Sequence, residues 1–203
     1  MKTRLLGIVG SLRAQSVSHL AVRHVLDAAK RLEAEVDFID LKTHPLPIFD
    51  PDNRQSTHLE KILKQVNWAN AYVLGTPDYH GGMSGAMKNF LDHFWKEFAG
   101  KLFGYVCASH EKGLTVMDQM RTAVRQCYGW SLPYGVSLLD DDVDLNSQKI
   151  INPKIAARLK FLAHDLATYA PLIHRQFTAD LSSENPDAGF AAHYRRHFTG
   201  NSS

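Results

Sequence analysis

The stretch from Ala71 to Phe98, AYVLGTPDYHGGMSGAMKNFLDHFWKEF, constrains the fold of this chain more than any other. The apolar run Tyr72-Val73-Leu74 stops at Gly75-Thr76-Pro77, and after Asp78-Tyr79-His80-Gly81-Gly82 a helical pattern begins near Met83. A strand with no polar face must be covered on both sides, which is the situation of a parallel sheet flanked by helices. Run, glycine-rich corner and helix therefore read as one βα unit. In an open parallel sheet the ligand sits in the crevice beyond the carboxyl ends of the strands. Tyr79 and His80 fall at such an end. The two glycines beside them let backbone N–H groups approach a flat ligand with no side chain between.

The same alternation fills the chain. Leu5–Val9 reads as a first buried strand, followed by a helix with apolar positions at Ala21, Val25, Ala28 and Leu32. Residues 35–41 read as a second strand, 102–108 as a fourth and 131–138 as a fifth. The segment 42–56 holds Pro45, Pro47 and Pro51, which exclude regular elements, and its length suits a functional rim or a subunit contact. Thr57 and Glu60 form a capping-box pair ahead of a helix face made by Leu59, Ile62, Leu63 and Val66. Met117, Met120, Val124 and Cys127 mark a further helix face. Asn152-Pro153 starts a closing helix through Ile155, Leu159, Leu162, Leu166 and Ile173. From about Arg175 the sequence turns polar, so residues 1–174 are expected as one domain and 175–203 as a tail ordered only by a partner subunit. The aromatic residues Phe90, Phe94, Trp95 and Phe98, with Leu91, span more of a helix than one core-facing stripe requires, which predicts a homodimer or homotetramer.

The loop Gly10-Ser11-Leu12-Arg13-Ala14-Gln15-Ser16-Val17-Ser18 carries three serines and one arginine directly before a helix. Free N–H groups, hydroxyl donors and a fork-shaped cation suit a phosphate. A helix N-cap accounts for one serine but not for Arg13. No Gly-Lys-Ser/Thr follows, so this is not a Walker A loop, and Gly7 and Gly10 do not make a dinucleotide fingerprint.

Composition excludes other classes. A net charge of +2 over 203 residues, with no dense basic run, does not suit nucleic acid. No apolar run reaches the roughly 18 residues of a membrane span, and the apolar part of MKTRLLGIVG is too short for the signal peptide of a secreted protein. Cys107 and Cys127 are too few and too dispersed for a disulfide framework and read as reduced core thiols, which predicts a cytoplasmic protein. Asp140, Asp141, Asp142 and Asp144 lack the spacing of a calcium loop, and His193 and His197 have no third ligand, so no metal is expected.

The motifs Gly10-Ser11-Leu12-Arg13-x-x-Ser16 and Thr76-Pro77-Asp78-Tyr79-His80-Gly81-Gly82-x-x-Gly85-x-x-Lys88-Asn89-x-x-Asp92 together resemble those of the NADPH-dependent FMN reductases, over roughly residues 2–173. That family includes quinone, azo-dye and chromate reductases. The resemblance implies a flavodoxin-like, doubly wound α/β fold with five parallel strands in the order 2-1-3-4-5. It implies that Ser11, Arg13, Ser16 and Ser18 hold the FMN phosphate. Pro77, Asp78, Tyr79, His80 and Gly81 would line the isoalloxazine ring and ribityl chain, with Ser109 and His110 against its pyrimidine edge. Lys88 and Asn89 would fix the helix rather than touch flavin.

With FMN and NADPH as cofactors, the redox chemistry belongs to the flavin, and no catalytic dyad need exist among the 11 histidines. His80 alone is placed to donate a proton or hydrogen bond to an acceptor. The expected activity is NADPH oxidation with a quinone, free flavin, azo compound or metal oxyanion as small-molecule acceptor, in a ping-pong sequence. The competing reading is a flavodoxin-type FMN electron carrier serving protein partners, which a pI near 8.5 disfavours.

Overall fold

The computed structural model describes residues 1–53, 57–185 and 187–199, and of Thr57 and His58 the backbone only. The first elements are β1 (Arg4–Val9), α1 (Val17–Lys30), β2 (Glu35–Asp40), α2 (Thr57–Trp68), β3 (Ala71–Tyr79) and α3 (Gly85–Asp92). They are followed by β4 (Leu102–Ala108), α4 (Leu114–Gln126), a fifth strand β5 in two pieces (Trp130–Ser131 and Val136–Leu138) and α5 (Pro153–Ser182). Two short helices, α6 (Phe190–His193) and α7 (Arg195–Thr199), come last. Parallel pairing runs β2-β1-β3-β4-β5 across one sheet. This is the expected flavodoxin-like order.

The alternation of each buried strand divides the core in two. Leu5, Val9, Val73 and Val106 pack against α1 and α5 through Ala21, Val25, Leu162 and Leu166. Leu6, Ile8, Tyr72, Leu74 and Phe103 pack on the other face against Ile62 of α2, Phe90 of α3 and Met120 of α4. Helices on both faces cover strands that read as unbroken apolar runs. At the amino end of β4 the buried Lys101 donates to the Val66 carbonyl in the last turn of α2 at 2.7 Å, satisfying an orphan helix acceptor.

The structure differs from the sequence reading at four places. First, β3 does not stop at Gly75. It pairs with β1 only as far as Gly75 and with β4 as far as Pro77, so from Thr76 on it has one neighbour and tolerates a residue without an N–H. It then folds back at His80-Gly81 onto Gly82–Met83.

Second, β5 is interrupted. Ser131 pairs with Phe103 and Val136 with Val106, so four residues of β5 stand opposite two of β4. Pro133 lies in this bulge and cannot donate to a ladder.

Third, the helix after the corner ends at Asp92, and a 3-10 turn at Lys96–Phe98 follows. The break lets Phe90, Leu91, Phe94 and Phe98 all reach the core, while Trp95 is the exposed member of the set. The aromatic excess, Trp95 apart, is therefore covered within the chain.

Fourth, the segment expected as a tail from Arg175 on continues α5 to Ser182. Pro171 does not break that helix: the Ala167 carbonyl it leaves without a helical partner accepts the Thr3 hydroxyl at 2.7 Å. Residues 190–199 then pack on the chain itself. Tyr128 touches Phe190, His197 and Phe198 with ring centroids 5.0–5.6 Å apart, and Ala191 and Ala192 are buried. These contacts all lie within the chain.

The capping box proposed for Thr57 falls on a side chain outside the described residues. The 42–56 loop, whose last three residues are likewise outside them, is tied to α3. Asn89 accepts from the Phe49 amide at 2.8 Å and donates to the Pro47 carbonyl at 2.9 Å, and a His93 ring nitrogen stands 2.9 Å from the same carbonyl. Lys88 pairs with Asp92 one turn on. Both residues serve α3, as expected.

Candidate functional site

The carboxyl ends of β1, β3, β4 and β5 converge on one cleft lined by Ser11, Arg13, Ser16, Pro77, Asp78, Tyr79, Ser109 and His110. A second cleft, lined by Gly81, Glu111 and Lys112, adjoins it and shares Asp78, Ser109 and His110. Of the expected site residues, ten therefore meet at these two clefts or directly behind them. His80 is the exception. It is exposed at the tip of the hairpin and lines neither cleft.

The β1–α1 loop is shaped as an anion cradle. Ser16 is the N-cap of α1, extended at φ −135°, and its hydroxyl accepts from the His19 amide at 3.3 Å. Ser18 is fully buried, and its hydroxyl lies 2.9 Å from that of Ser16. It stands behind the cleft wall and fixes the Ser16 side chain. Ser11 is nearly buried and receives the Arg13 amide at 3.4 Å. The amides of Val17 and Ser18 donate to no protein group among the described residues, nor does the Arg13 guanidinium. The segment from Ser11 to Ser18 contains no carboxylate. Hydroxyls, free first-turn amides and an unpaired guanidinium are the donor set of a phosphate monoester, so these residues fit the FMN phosphate.

The loop is held from behind. Ser84, the N-cap of α3, donates its hydroxyl to the Gly10 carbonyl at 2.7 Å, and a Cβ on Gly10 would lie 2.6 Å from that hydroxyl. The Gly10 amide donates to the Gly75 carbonyl at 2.8 Å. Only glycine allows so close an approach.

The far wall is a two-residue hairpin. His80 and Gly81 have φ values of 58° and 76°, both in the left-handed region that a type I′ turn requires. Histidine is among the side chains that tolerate it. Asp78 accepts the Gly81 amide at 2.8 Å with one oxygen and the Ser109 hydroxyl at 2.7 Å with the other. Gln119 of α4 clamps the turn from outside, donating to the Gly81 carbonyl at 3.1 Å and accepting from the Met83 amide at 3.2 Å. Sequence reasoning missed Gln119, because a lone polar residue on a helix carries no signal of its target. It also missed Gln15, Asp140 and Leu145, which join the cleft wall from loops of unpredictable course. Behind the wall, burial pushes the Cys107 thiol up to about 12, so it is inert as a nucleophile.

A parallel sheet in the order 2-1-3-4-5, with an anion cradle after its first strand and a crevice where strand order reverses between β1 and β3, defines a flavodoxin-like α/β protein. The family follows from comparison. The profile of the NADPH-dependent FMN reductases matches residues 3–144, and the chain belongs to that family of oxidoreductases, whose cofactors are FMN and NADPH. An NAD(P)H-dependent FAD/FMN reductase of Geobacillus thermodenitrificans is 29% identical over 171 residues, covering 80% of this chain and 91% of the relative. An FMN-dependent NADPH-azoreductase of Staphylococcus haemolyticus is 27% identical over 144 residues, covering 66% and 76%. Among solved structures, the flavoenzyme NAD(P)H:(acceptor) oxidoreductase of Paracoccus denitrificans superposes with a TM-score of 0.71 at 16% identity, covering 85% of this chain and 98% of that one. An archaeal flavodoxin gives 0.62 at 13%, covering 83% and 99%. At such identities the likeness is one of fold. No helix among the described residues is long and apolar enough to cross a membrane.

Proposed function

We propose that this chain oxidises NADPH through bound FMN and passes the electrons to a quinone, free flavin, azo or metal-oxyanion acceptor in a ping-pong sequence. The observation that carries the reading is the donor set of the β1–α1 loop, Ser11, Arg13, Ser16 and two free first-turn amides, in one cleft with Pro77, Asp78 and Tyr79. The names of the Geobacillus and staphylococcal relatives support flavin and azo acceptors. FMN, when bound, supplies the hydride chemistry between NADPH and acceptor.

The chain's own residues bind and orient. Ser11, Arg13, Ser16 and the first-turn amides of α1 hold the phosphate, with Ser18 fixing Ser16. Pro77, Asp78, Tyr79 and Gly81 shape the ring slot, and Ser109 and His110 face its other edge. His80, out on the turn, is left to meet an acceptor entering from solvent. Two exposed apolar side chains, Tyr79 and Leu114, line the clefts and support a homo-oligomer that covers them. A cytoplasmic location is supported by two free cysteines.

Initial rates with NADPH varied against a quinone test the sequence of events. One slot serving both substrates requires parallel double-reciprocal lines. Lines that intersect would show both substrates bound together, against a single slot.

A further inference from the structure

We propose that a cationic annex beside the flavin cleft, built by Lys112, Arg121 and Arg158 around the bulge of β5, takes the phosphate-bearing adenosine half of NADPH. The proposal deepens the reductase reading and rests on it. The annex is a cavity of about 860 Å³, within the usual range of small-molecule sites. Ser109 and His110 line both it and the flavin cleft, so the two adjoin at these residues.

The cations arrive from three separate elements: Lys112 from the β4–α4 loop, Arg121 from α4 and Arg158 from α5. Lys112 has no hydrogen bond or ion pair among the described residues. Arg158 gives one nitrogen to the Gly135 carbonyl at 3.1 Å and keeps its other donors. Arg121 is held by Asp118 at 2.7 Å and lies over the Tyr105 ring at 5.5 Å. The single acid on the wall, Asp142, is already engaged: one oxygen accepts the Leu139 amide at 2.8 Å, the other the Asn152 side chain at 2.6 Å. Three cations, Lys112, Arg121 and Arg158, stand against two carboxylates, Asp142 on the wall and Asp118 on Arg121, which leaves the annex with a net positive charge.

The bulge explains why the cavity exists. Two extra residues in β5 push Pro133, Tyr134 and Gly135 out of the ladder, and these residues form part of its wall. The Tyr134 hydroxyl donates to Asp165 at 2.6 Å, which fixes the ring. A fixed aromatic ring beside two arginines and a lysine suits a purine carrying phosphates. NADPH differs from NADH by a phosphate on the adenosine ribose, so such an annex is where the chain would tell them apart.

The test uses the FMN-loaded protein and 2′,5′-ADP as probe, measured by calorimetry, alongside steady-state kinetics. The proposal expects wild type to bind 2′,5′-ADP at least tenfold more tightly than 5′-AMP. Lys112→Ala and Arg158→Ala should each weaken the probe by roughly tenfold, the loss of one charge-assisted contact. In Arg158→Ala the KM for NADPH should rise in parallel, with kcat and the flavin spectrum held, and Arg158→Lys should recover part of the loss. Unchanged probe affinity in both variants would overturn the annex, as would a rise in the acceptor's KM in place of that for NADPH. If wild type binds the probe with this variant dependence yet does not oxidise NADPH, the annex stands and the reductase reading falls.

Discussion

Asp78 and Ser109 join the ends of the neighbouring strands β3 and β4, carboxylate to hydroxyl, at 2.7 Å. The same carboxylate holds the Gly81 amide, so one side chain ties the hairpin turn to the end of β4. Hydrogen bonds to a charged group contribute about 1.5–3 kcal/mol each when buried, and Asp78 is partly exposed, which puts Asp78→Ala near the low end. The expected outcome is a melting temperature lower by several degrees and weaker FMN retention in the same variant, read by thermal unfolding and by flavin release. Loss of stability with FMN affinity intact would separate the clamp from the site.

Arg13→Ala should weaken FMN by roughly ten- to hundredfold, the effect of removing one charge-assisted phosphate contact. Riboflavin, which lacks the phosphate, should bind wild type and variant alike. Fluorescence titration with both ligands reads this directly. Equal affinity of wild type for FMN and riboflavin would contradict the cradle.

The cradle and the sheet were legible in the sequence for the same reason. Leu5–Val9, Tyr72–Leu74 and Leu102–Ala108 must be covered on both faces, and a loop with Ser11, Arg13 and Ser16 before a helix has few uses other than an anion. The hairpin was not legible. Gly75 and Pro77 read as a stop, yet they continue β3, because beyond Gly75 the strand has lost one neighbour and needs no N–H on that side. Nor could Asn89 and Gln119 be assigned partners, since their targets are backbone carbonyls of loops distant in sequence.

Tyr128 anchors the carboxyl-terminal segment together with Phe177 on Phe198 and Trp95 on His197. It sits at φ 61° just past α4, where Gly129 caps the helix by donating to the Val124 carbonyl at 3.0 Å. A tyrosine in this position costs about 1–2 kcal/mol of backbone strain, offset here by ring contacts to Phe190 and Phe198. Tyr128→Gly should relieve the strain but free residues 190–199. Limited proteolysis should then cut after Ser182 many times faster, while FMN affinity is unchanged.

Lys101, at the opposite end of β4 from Ser109, makes stability depend on pH. Burial lowers its ammonium from 10.5 to about 7. Above about 7 the folded state has released a proton that the unfolded chain keeps until 10.5, so stability rises with pH across that interval. Burial also lowers His19, His24 and His174, which confines their contributions to below 6.5, and it raises the Cys107 and Cys127 thiols, whose contributions begin near 9. Between pH 7 and 8.5 the rise belongs to Lys101 and should be about 1.5 kcal/mol. Denaturant melts at both pH values should show it in wild type and lose it in Lys101→Met.

The central claim, that this chain passes electrons from NADPH to its own flavin, is tested most directly by mixing the oxidised FMN-loaded protein anaerobically with NADPH and no acceptor. The account predicts that the visible flavin absorbance bleaches within seconds and returns when a quinone is added. Flavin that stays yellow over minutes with NADPH, yet is promptly reduced by a separate flavodoxin reductase, would contradict it and identify an electron carrier.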